Sequence, residues 1–152
     1  MPAVNSTNKQ WLDLTIEEAL EPDLPICDPH HHFWEFRYER PVHHYLLDDL
    51  LLDINAGHNI VSTVFIECGA MYKQEGPEEM RVVGEVEFVN GIAAMSASGL
   101  YGDCRIAAGI VGHANLSLGS GVGDVLDAQI AAGGGRYRGI RHIVTWEATG
   151  CM

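Results

Sequence analysis

Four short apolar runs recur along the chain and predict four strands. The second and third runs are apolar nearly throughout instead of alternating, which is typical of strands covered on both faces in a parallel sheet. The second run, NIVSTVFIE, is also rich in the β-branched and aromatic residues that favour strands. The predicted strands lie near residues 26–32, 59–67, 104–113 and 137–146.

Helical segments are predicted between these runs. The first covers residues 45–55 and ends at Gly57, the second covers 77–98, and the third, 122–132, is closed by three glycines. In the second segment Pro77 suits a first helical turn, and the glutamates that follow it complement the positive end of the helix dipole. Alternation of strand and helix at this rhythm predicts βαβ units, and therefore an α/β fold with a parallel sheet.

The opening segment carries a separate helix signal. Residues 15–18, Thr-Ile-Glu-Glu, fit a capping box, and Leu14, Ile16, Ala19 and Leu20 supply an apolar side before Pro22 and Pro25 end it. The sequence therefore predicts an N-terminal helical extension over residues 1–24 and one domain over 25–152.

The composition and net charge limit the kinds of molecule that this protein is expected to bind. The net charge of −12 and pI near 4.9 argue against nucleic acid, because phosphate neutralisation needs clustered lysine and arginine. No apolar stretch is long enough for a membrane span, and the polar N-terminus lacks the apolar core of a signal peptide, so we expect a cytoplasmic protein. The four cysteines, at 27, 68, 104 and 151, form no CxxC pair, and Cys27, Cys68 and Cys104, in or beside apolar runs, are expected to be buried thiols.

Polar residues collect where each predicted strand ends. The first run ends in three histidines, His30 to His32, the second in Glu67, the third in His113, and the fourth near His142. In parallel α/β sheets and barrels, ligands bind at the carboxyl ends of the strands. This edge is therefore the expected site.

The histidine run CDPHHHFW allows two interpretations. Side chains alternate along a strand, so His30 and His32 share one face, with Asp28 one pleat deeper, while His31 faces the helices. Two imidazoles on one face can converge on a divalent ion, and the carboxylate of Asp28 would orient one of them by accepting its other N–H. Alternatively, the run is a loop cluster whose rings are hydrogen-bonded to the backbone, without a metal.

The stretch ICDPHHHFW resembles the first-strand signature of the amidohydrolase-related family, the TIM-barrel metal-dependent hydrolases that include sugar lactonases. The family pattern Asp-x-His-x-His, followed by an apolar residue and often Trp, matches Asp28, His30, His32, Phe33 and Trp34. Later stretches also resemble this family in order and spacing: VFIECGAMY, GEVEFVNGIAAMSASGLYG, GIVGHANL and YRGIRHIV.

The resemblance implies a hydrolase that attacks a lactone or other carbonyl of a sugar acid or small carboxylate. It implies that His30 and His32 hold a divalent metal, with zinc expected, although some members work without one. It also implies further site residues from the fifth and eighth strands, including the aspartate base, so no catalytic base is assigned here. A small-molecule substrate is the expected partner.

Length sets the expected extent of the barrel. A complete (β/α)8 barrel needs about 250 residues, and this chain of 152 supplies about four βα units, the N-terminal half. We expect either a truncated chain or two copies that close a barrel as a homo-oligomer. Two other classes stay open: a non-catalytic fragment or interaction domain, and a doubly wound α/β binding domain.

Further candidates follow from strand position. Glu67 is predicted either to contact substrate or to pair with a neighbouring cation. His142 is predicted either to line the pocket or to be a core histidine hydrogen-bonded to the backbone, with Arg141 as the alternative pocket residue if the register is reversed. His113 at the end of the third run, and Tyr72 and Lys73 after the second, are weaker substrate contacts.

Overall fold

A computed structural model describes Trp11 and residues 13–36 and 44–144. It contains four strands: β1 (Ile26–His31), β2 (Ile60–Ile66), β3 (Arg105–His113) and β4 (Tyr137–Arg141). The α-helices are α1 (Leu47–Ile54), α2 (Val83–Ala97) and α3 (Val122–Ala132), and two 3₁₀ turns cover Glu78–Met80 and Leu116–Gly121.

The strands form one parallel sheet in the order β1-β2-β3-β4. The predicted α/β class and parallel sheet are therefore confirmed. Because parallel crossovers are right-handed, strands laid down in this unbroken order place their connecting helices on the same face of the sheet. A doubly wound sheet reverses its strand order at a switch point, and the described strands contain no such reversal.

The main core lies between the sheet and the helices. Phe65 and Ile110 are fully buried on β2 and β3, where they join Val89 of α2 and Leu50 of α1. Phe33, just after β1, stacks on Phe65 with ring centroids 5.9 Å apart. This packing holds the end of β1 firmly against β2, which is where the three histidines lie.

The pairing of β2 with β3 contains an irregularity that a side chain repairs. The register shifts between Ser62 and Val64, and Ala107 adopts a left-handed backbone with φ 48°. The hydroxyl of buried Thr63 accepts the Ala107 N–H at 2.9 Å. The hydroxyl therefore replaces the backbone acceptor that the irregularity removes.

Several predicted features differ from the structure. No helix is found over residues 13–24, and Leu14, Ile16 and Leu20 are 76%, 81% and 99% exposed. Little covers their apolar side chains, and a short helix without tertiary packing is marginal in water. The rest of the predicted extension, residues 1–10 and 12, lies outside the described residues.

β4 is shorter than predicted, because it ends at Arg141 and residues 142–144 have no regular structure. The predicted residues 145 and 146 lie outside the described part of the chain, as does Cys151. Among the described residues Cys27, Cys68 and Cys104 form no disulfide, as expected, but Cys27 is exposed and the other two are only partly buried instead of buried. Among the described residues, no helix combines the length and apolarity that crossing a bilayer requires.

Candidate metal-binding site at the carboxyl edge of the sheet

The rings of His30 and His32, here called the histidine pair, meet at the end of β1. Their Nε2 atoms are 3.2 Å apart, and the ring planes are nearly perpendicular with centroids 4.9 Å apart. His30 is exposed, whereas His32 is partly buried. The predicted alternation is confirmed, since the two rings converge while His31 between them is buried on the other side.

A main-chain carbonyl determines which nitrogen of His32 carries a hydrogen. The Nδ1 atom lies 2.7 Å from the carbonyl oxygen of Ile66, and a carbonyl can only accept. Nδ1 is therefore the donor, and the Nε2 of neutral His32 carries a lone pair directed toward His30. Metal-ligating histidines are commonly oriented through the other ring nitrogen in this way.

The separation of the two nitrogens fits a divalent metal. Two imidazole nitrogens bound to one tetrahedral zinc at about 2.0–2.1 Å lie about 3.3 Å apart. The observed 3.2 Å also suits an N–H···N hydrogen bond from His30 to His32 in the metal-free protein. Among the described residues, no group of three or more His, Cys, Asp or Glu is placed to hold an ion. The histidine pair therefore supplies two ligands of the three that catalytic zinc usually takes from protein.

Asp28 does not make the contact predicted for it. Its Oδ1 accepts the backbone N–H of His30 at 3.0 Å, so it is bonded to the main chain and not to an imidazole. The partner that orients a ring comes from the neighbouring strand, as the Ile66 carbonyl. Asp28 thus shapes the backbone turn that carries His30.

His31 is a packing residue, as predicted. Its side chain contacts the rings of Phe33 and Phe65, and its Nε2 lies 2.8 Å from the Thr63 hydroxyl. Burial lowers the pKa of His31 to about 4, so the ring is neutral near pH 7. His31 therefore belongs to the core and not to the histidine pair.

Side chains from three other parts of the fold bind the segment at the end of β2, residues 66–70. His32 of the β1 end donates to the Ile66 carbonyl. Arg141 of β4 donates to the Glu67 carbonyl at 2.6 Å. Glu85 of α2 accepts the backbone N–H groups of Cys68 and Ala70 at 3.0 and 2.7 Å. This segment consequently links the histidine pair to β4 and to α2.

Glu67 is paired with a cation instead of being free for substrate. Its Oε1 accepts from Nε of Arg141 at 2.7 Å, and the residue is only 7% exposed. Of the two interpretations of Glu67, the structure therefore favours the ion pair.

Arg141, which the sequence offers as the alternative to His142, is the residue whose side chain reaches across to the end of β2. Because β4 ends at Arg141, strand alternation does not extend to His142.

His142 lies beside His113 and not beside the histidine pair. Their ring centroids are 5.4 Å apart at 84°. His142 Nδ1 accepts the backbone N–H of Leu116, whereas His113 Nδ1 faces the Arg141 carbonyl, each at 3.0 Å. The carboxyl edge thus carries two separate groups of histidines.

The two weaker candidates after β2 are Tyr72 and Lys73. Lys73 forms an ion pair with Glu87 at 2.7 Å, and burial raises the pKa of Tyr72.

An open cavity of about 360 Å³ adjoins the histidine pair. Trp34 and Tyr45, which stack with centroids 5.6 Å apart, and the carboxylates of Asp28 and Asp53 line it. No lysine or arginine is among its lining residues in the described part of the chain. Two carboxylates without a compensating basic side chain favour a cation in this cavity.

The sequence interpretation missed Glu85 and Thr63. Glu85 is 1% exposed, and its Oε2 has no hydrogen-bond partner among the described residues. Burial raises the pKa of this carboxyl group, and nearby Glu67 raises it further. A signal was available, because Glu85 shares the helical stripe of Val89, Ile92 and Ser96, all of them buried.

Comparisons of this chain with protein-family models, with curated proteins and with solved structures give no match.

Proposed function

We propose that the chain forms four βα units of a (β/α)8-type barrel and is a metal-dependent hydrolase of the amidohydrolase-related kind. Its substrate would be a lactone or another carbonyl compound of a sugar acid or small carboxylate. The unbroken parallel strand order supports the barrel part of the proposal, because barrels are wound in this way. The resemblance of CDPHHHFW to the family signature supports the chemistry.

The observation that carries the proposal is the geometry of the histidine pair. Two Nε2 atoms converge at 3.2 Å, and the Ile66 carbonyl holds His32 in the tautomer whose Nε2 has a lone pair for a metal. His30 and His32 would hold the ion, and the acidic cavity beside them would favour its entry. When bound, a divalent metal polarises a carbonyl and lowers the pKa of a bound water.

The other residues of this edge position the pair and the substrate. Ile66 orients His32, and Arg141 holds Ile66's neighbour Glu67 by both its main chain and its side chain. Without a metal, the His30 Nε2–H could donate to a substrate carbonyl directly, as in metal-independent members of the family. No described residue is assigned as the general base.

Metal binding by matched histidine variants tests this proposal. Protein freed of metal with a chelator is titrated with Zn²⁺ or Co²⁺ in the wild type, His30→Ala, His32→Ala and His58→Ala. His58 is an exposed histidine in the α1–β2 loop and serves as the control. We expect each site variant to weaken metal binding at least about tenfold and the control to bind as the wild type does. Equal affinity in all four proteins would refute the ligand assignment.

A non-catalytic binding module is the second candidate. The presence of only two metal ligands among the described residues favours it. Lactone hydrolysis measured on the metal-loaded wild type separates the two candidates, with His30→Ala and His32→Ala as negative controls. Metal binding without turnover would support the binding module, and turnover lost in both variants would support the hydrolase.

A further inference from the structure

A second pair of histidines, His113 and His142, lies where β3 and β4 end. We call these two residues the histidine subsite. Both are partly buried, and their rings meet edge to face with centroids 5.4 Å apart. They lie on the carboxyl edge of the sheet, where a parallel α/β fold binds its ligands. Neither residue belongs to the proposed metal site.

The hydrogen position on His113 follows from its main-chain partner. Its Nδ1 lies 3.0 Å from the carbonyl oxygen of Arg141, and a carbonyl can only accept. The hydrogen of neutral His113 is therefore on Nδ1, and Nε2 carries a lone pair. No described residue is hydrogen-bonded to that Nε2, so His113 presents a hydrogen-bond acceptor.

His142 is held in the opposite tautomer. Its Nδ1 lies 3.0 Å from the backbone nitrogen of Leu116, which can only donate. Nδ1 is therefore the acceptor, and the hydrogen of neutral His142 is on Nε2. No described residue accepts from this Nε2–H, so His142 presents a donor. As a neutral donor at Nε2, it is unsuited to ligate a metal through that atom.

Hydrogen bonds hold the backbone around both rings. The buried side chain of Gln129 donates to the His113 carbonyl at 2.9 Å. Asn115 Oδ1 accepts the backbone N–H of Ser117 at 3.0 Å, which fixes the turn that carries Leu116. Two backbone groups thus determine the two tautomers, and they are set before any ligand arrives.

We propose that His113 and His142 form a binding subsite for a hydroxyl group of the substrate. A hydroxyl both donates and accepts, so it can donate to His113 Nε2 and accept from His142 Nε2–H at the same time. Strands β1 and β3 are two strand spacings apart, about 10 Å, a span that a sugar-acid lactone covers with its hydrogen bonds. This inference rests on the proposed function, and it assigns the polyhydroxy end of the substrate to the subsite.

The tautomers can be measured without any ligand. Long-range ¹H–¹⁵N correlation spectra of the whole chain, recorded at a pH where the rings are neutral, distinguish Nδ1–H from Nε2–H histidines. We expect the Nδ1–H pattern for His113 and the Nε2–H pattern for His142. The same tautomer in both rings, or the reverse assignment, would overturn the proposal.

Binding of two matched lactones tests the role of the subsite. γ-Ribonolactone carries hydroxyl groups and γ-butyrolactone carries none, and both are titrated against the wild type, His113→Asn and His142→Asn. The amide of asparagine takes the place of imidazole Nδ1, so the bonds to Arg141 and Leu116 are kept while Nε2 is deleted. If His113 and His142 only held the backbone in place, these variants would bind both lactones as the wild type does. His58→Asn is the control.

We expect each asparagine variant to bind ribonolactone about 3- to 10-fold more weakly, the equivalent of one hydrogen bond. Butyrolactone binding and metal affinity at the histidine pair should not change. Unchanged ribonolactone affinity in both variants, or a wild type that does not prefer the hydroxylated lactone, would overturn the subsite. A wild type that binds no metal but still prefers the hydroxylated lactone would refute the proposed metal site and leave the subsite standing.

Discussion

Arg141 holds Glu67 by two atoms of its guanidinium group. Nε donates to Oε1 at 2.7 Å, and an Nη donates to the Glu67 carbonyl oxygen at 2.6 Å. The contact joins β4 to the end of β2 across β3, and it comes next to the residue whose carbonyl orients His32. Hydrogen bonds from His32, Arg141 and Glu85 therefore converge on residues 66–70. Substituting these side chains tests what their contacts contribute.

Arg141→Met should destabilise the protein, because it leaves the buried Glu67 carboxylate without its cation. We expect the free energy of unfolding in urea to fall by about 2 kcal/mol. Arg138→Met is the matched control, since Arg138 lies exposed on the same strand and bonds only local carbonyls. An equal loss in both variants would mean that the contact with Glu67 contributes nothing specific. Adding Glu67→Gln to Arg141→Met should recover part of the loss.

Glu85→Ala should be among the most damaging single substitutions in the chain. It leaves the N–H groups of Cys68 and Ala70 unpaired at a site where the carboxylate is 1% exposed. We expect the free energy of unfolding to fall by about 3 kcal/mol or more. Glu85→Gln keeps an oxygen for both donors and should lose much less.

The pH dependence of the Glu85→Gln variant checks the direction in which the pKa of Glu85 moves on folding. Burial raises the folded-state pKa, so the wild type loses stability as pH rises above the unfolded value of 4.5. The glutamine variant has no charge to bury. Its free energy of unfolding relative to wild type should therefore increase from about pH 4.5 upward, by about 1.4 kcal/mol per pH unit until the folded-state pKa is reached. A difference that is flat across this range would contradict the buried carboxylate.

Acid should destabilise the protein through His31. Its folded pKa of about 4 lies below the unfolded value of 6.5, so the unfolded chain takes up the proton first as pH falls. Stability is complete above the unfolded pKa and decreases between the two values. We expect a loss of about 2 kcal/mol between pH 7 and pH 5 from this residue.

His31→Gln provides the comparison for that prediction. The glutamine amide can still hydrogen-bond the Thr63 hydroxyl and does not titrate. The variant should be less stable than wild type at pH 7, yet it should lose about 2 kcal/mol less on going to pH 5. Parallel stability curves for the two proteins in urea unfolding would show that His31 is not buried as a neutral ring.

Gly112 should not tolerate a side chain. A Cβ atom there would lie 2.1 Å from Gln129 Oε1 and 3.0 Å from the Tyr137 ring. Gln129 is fully buried and bonded to the His113 carbonyl, so it has little room to move. Gly112→Ala should lower the free energy of unfolding by about 1–3 kcal/mol. Gly91→Ala, at an open position within α2, should instead raise it by up to about 1 kcal/mol.

Much of the fold could be predicted because it depends on local periodicity. The nearly continuous apolar composition of β2 and β3 indicated parallel strands, and α3 begins and ends at the predicted residues, Val122 and Ala132. The convergence of His30 and His32 agrees with the alternation predicted for the first run, although His32 lies just after β1. Over the described residues 13–24 the predicted helix is not found, because local signals need a surface to pack against and Leu20 is 99% exposed.

Partners on neighbouring strands could not be predicted, because they depend on register and strand length. The sequence placed a carboxylate, Asp28, beneath the histidines, but the Ile66 carbonyl from the next strand orients His32. It favoured His142 over Arg141, but β4 ends at Arg141 and alternation ends with it. The sequence by itself thus determined which elements form and which face each β1 side chain takes, since neighbours in the chain fix both. Only the tertiary structure decided which atoms meet, because distant backbone groups select tautomers and ion pairs through contacts that no local pattern encodes.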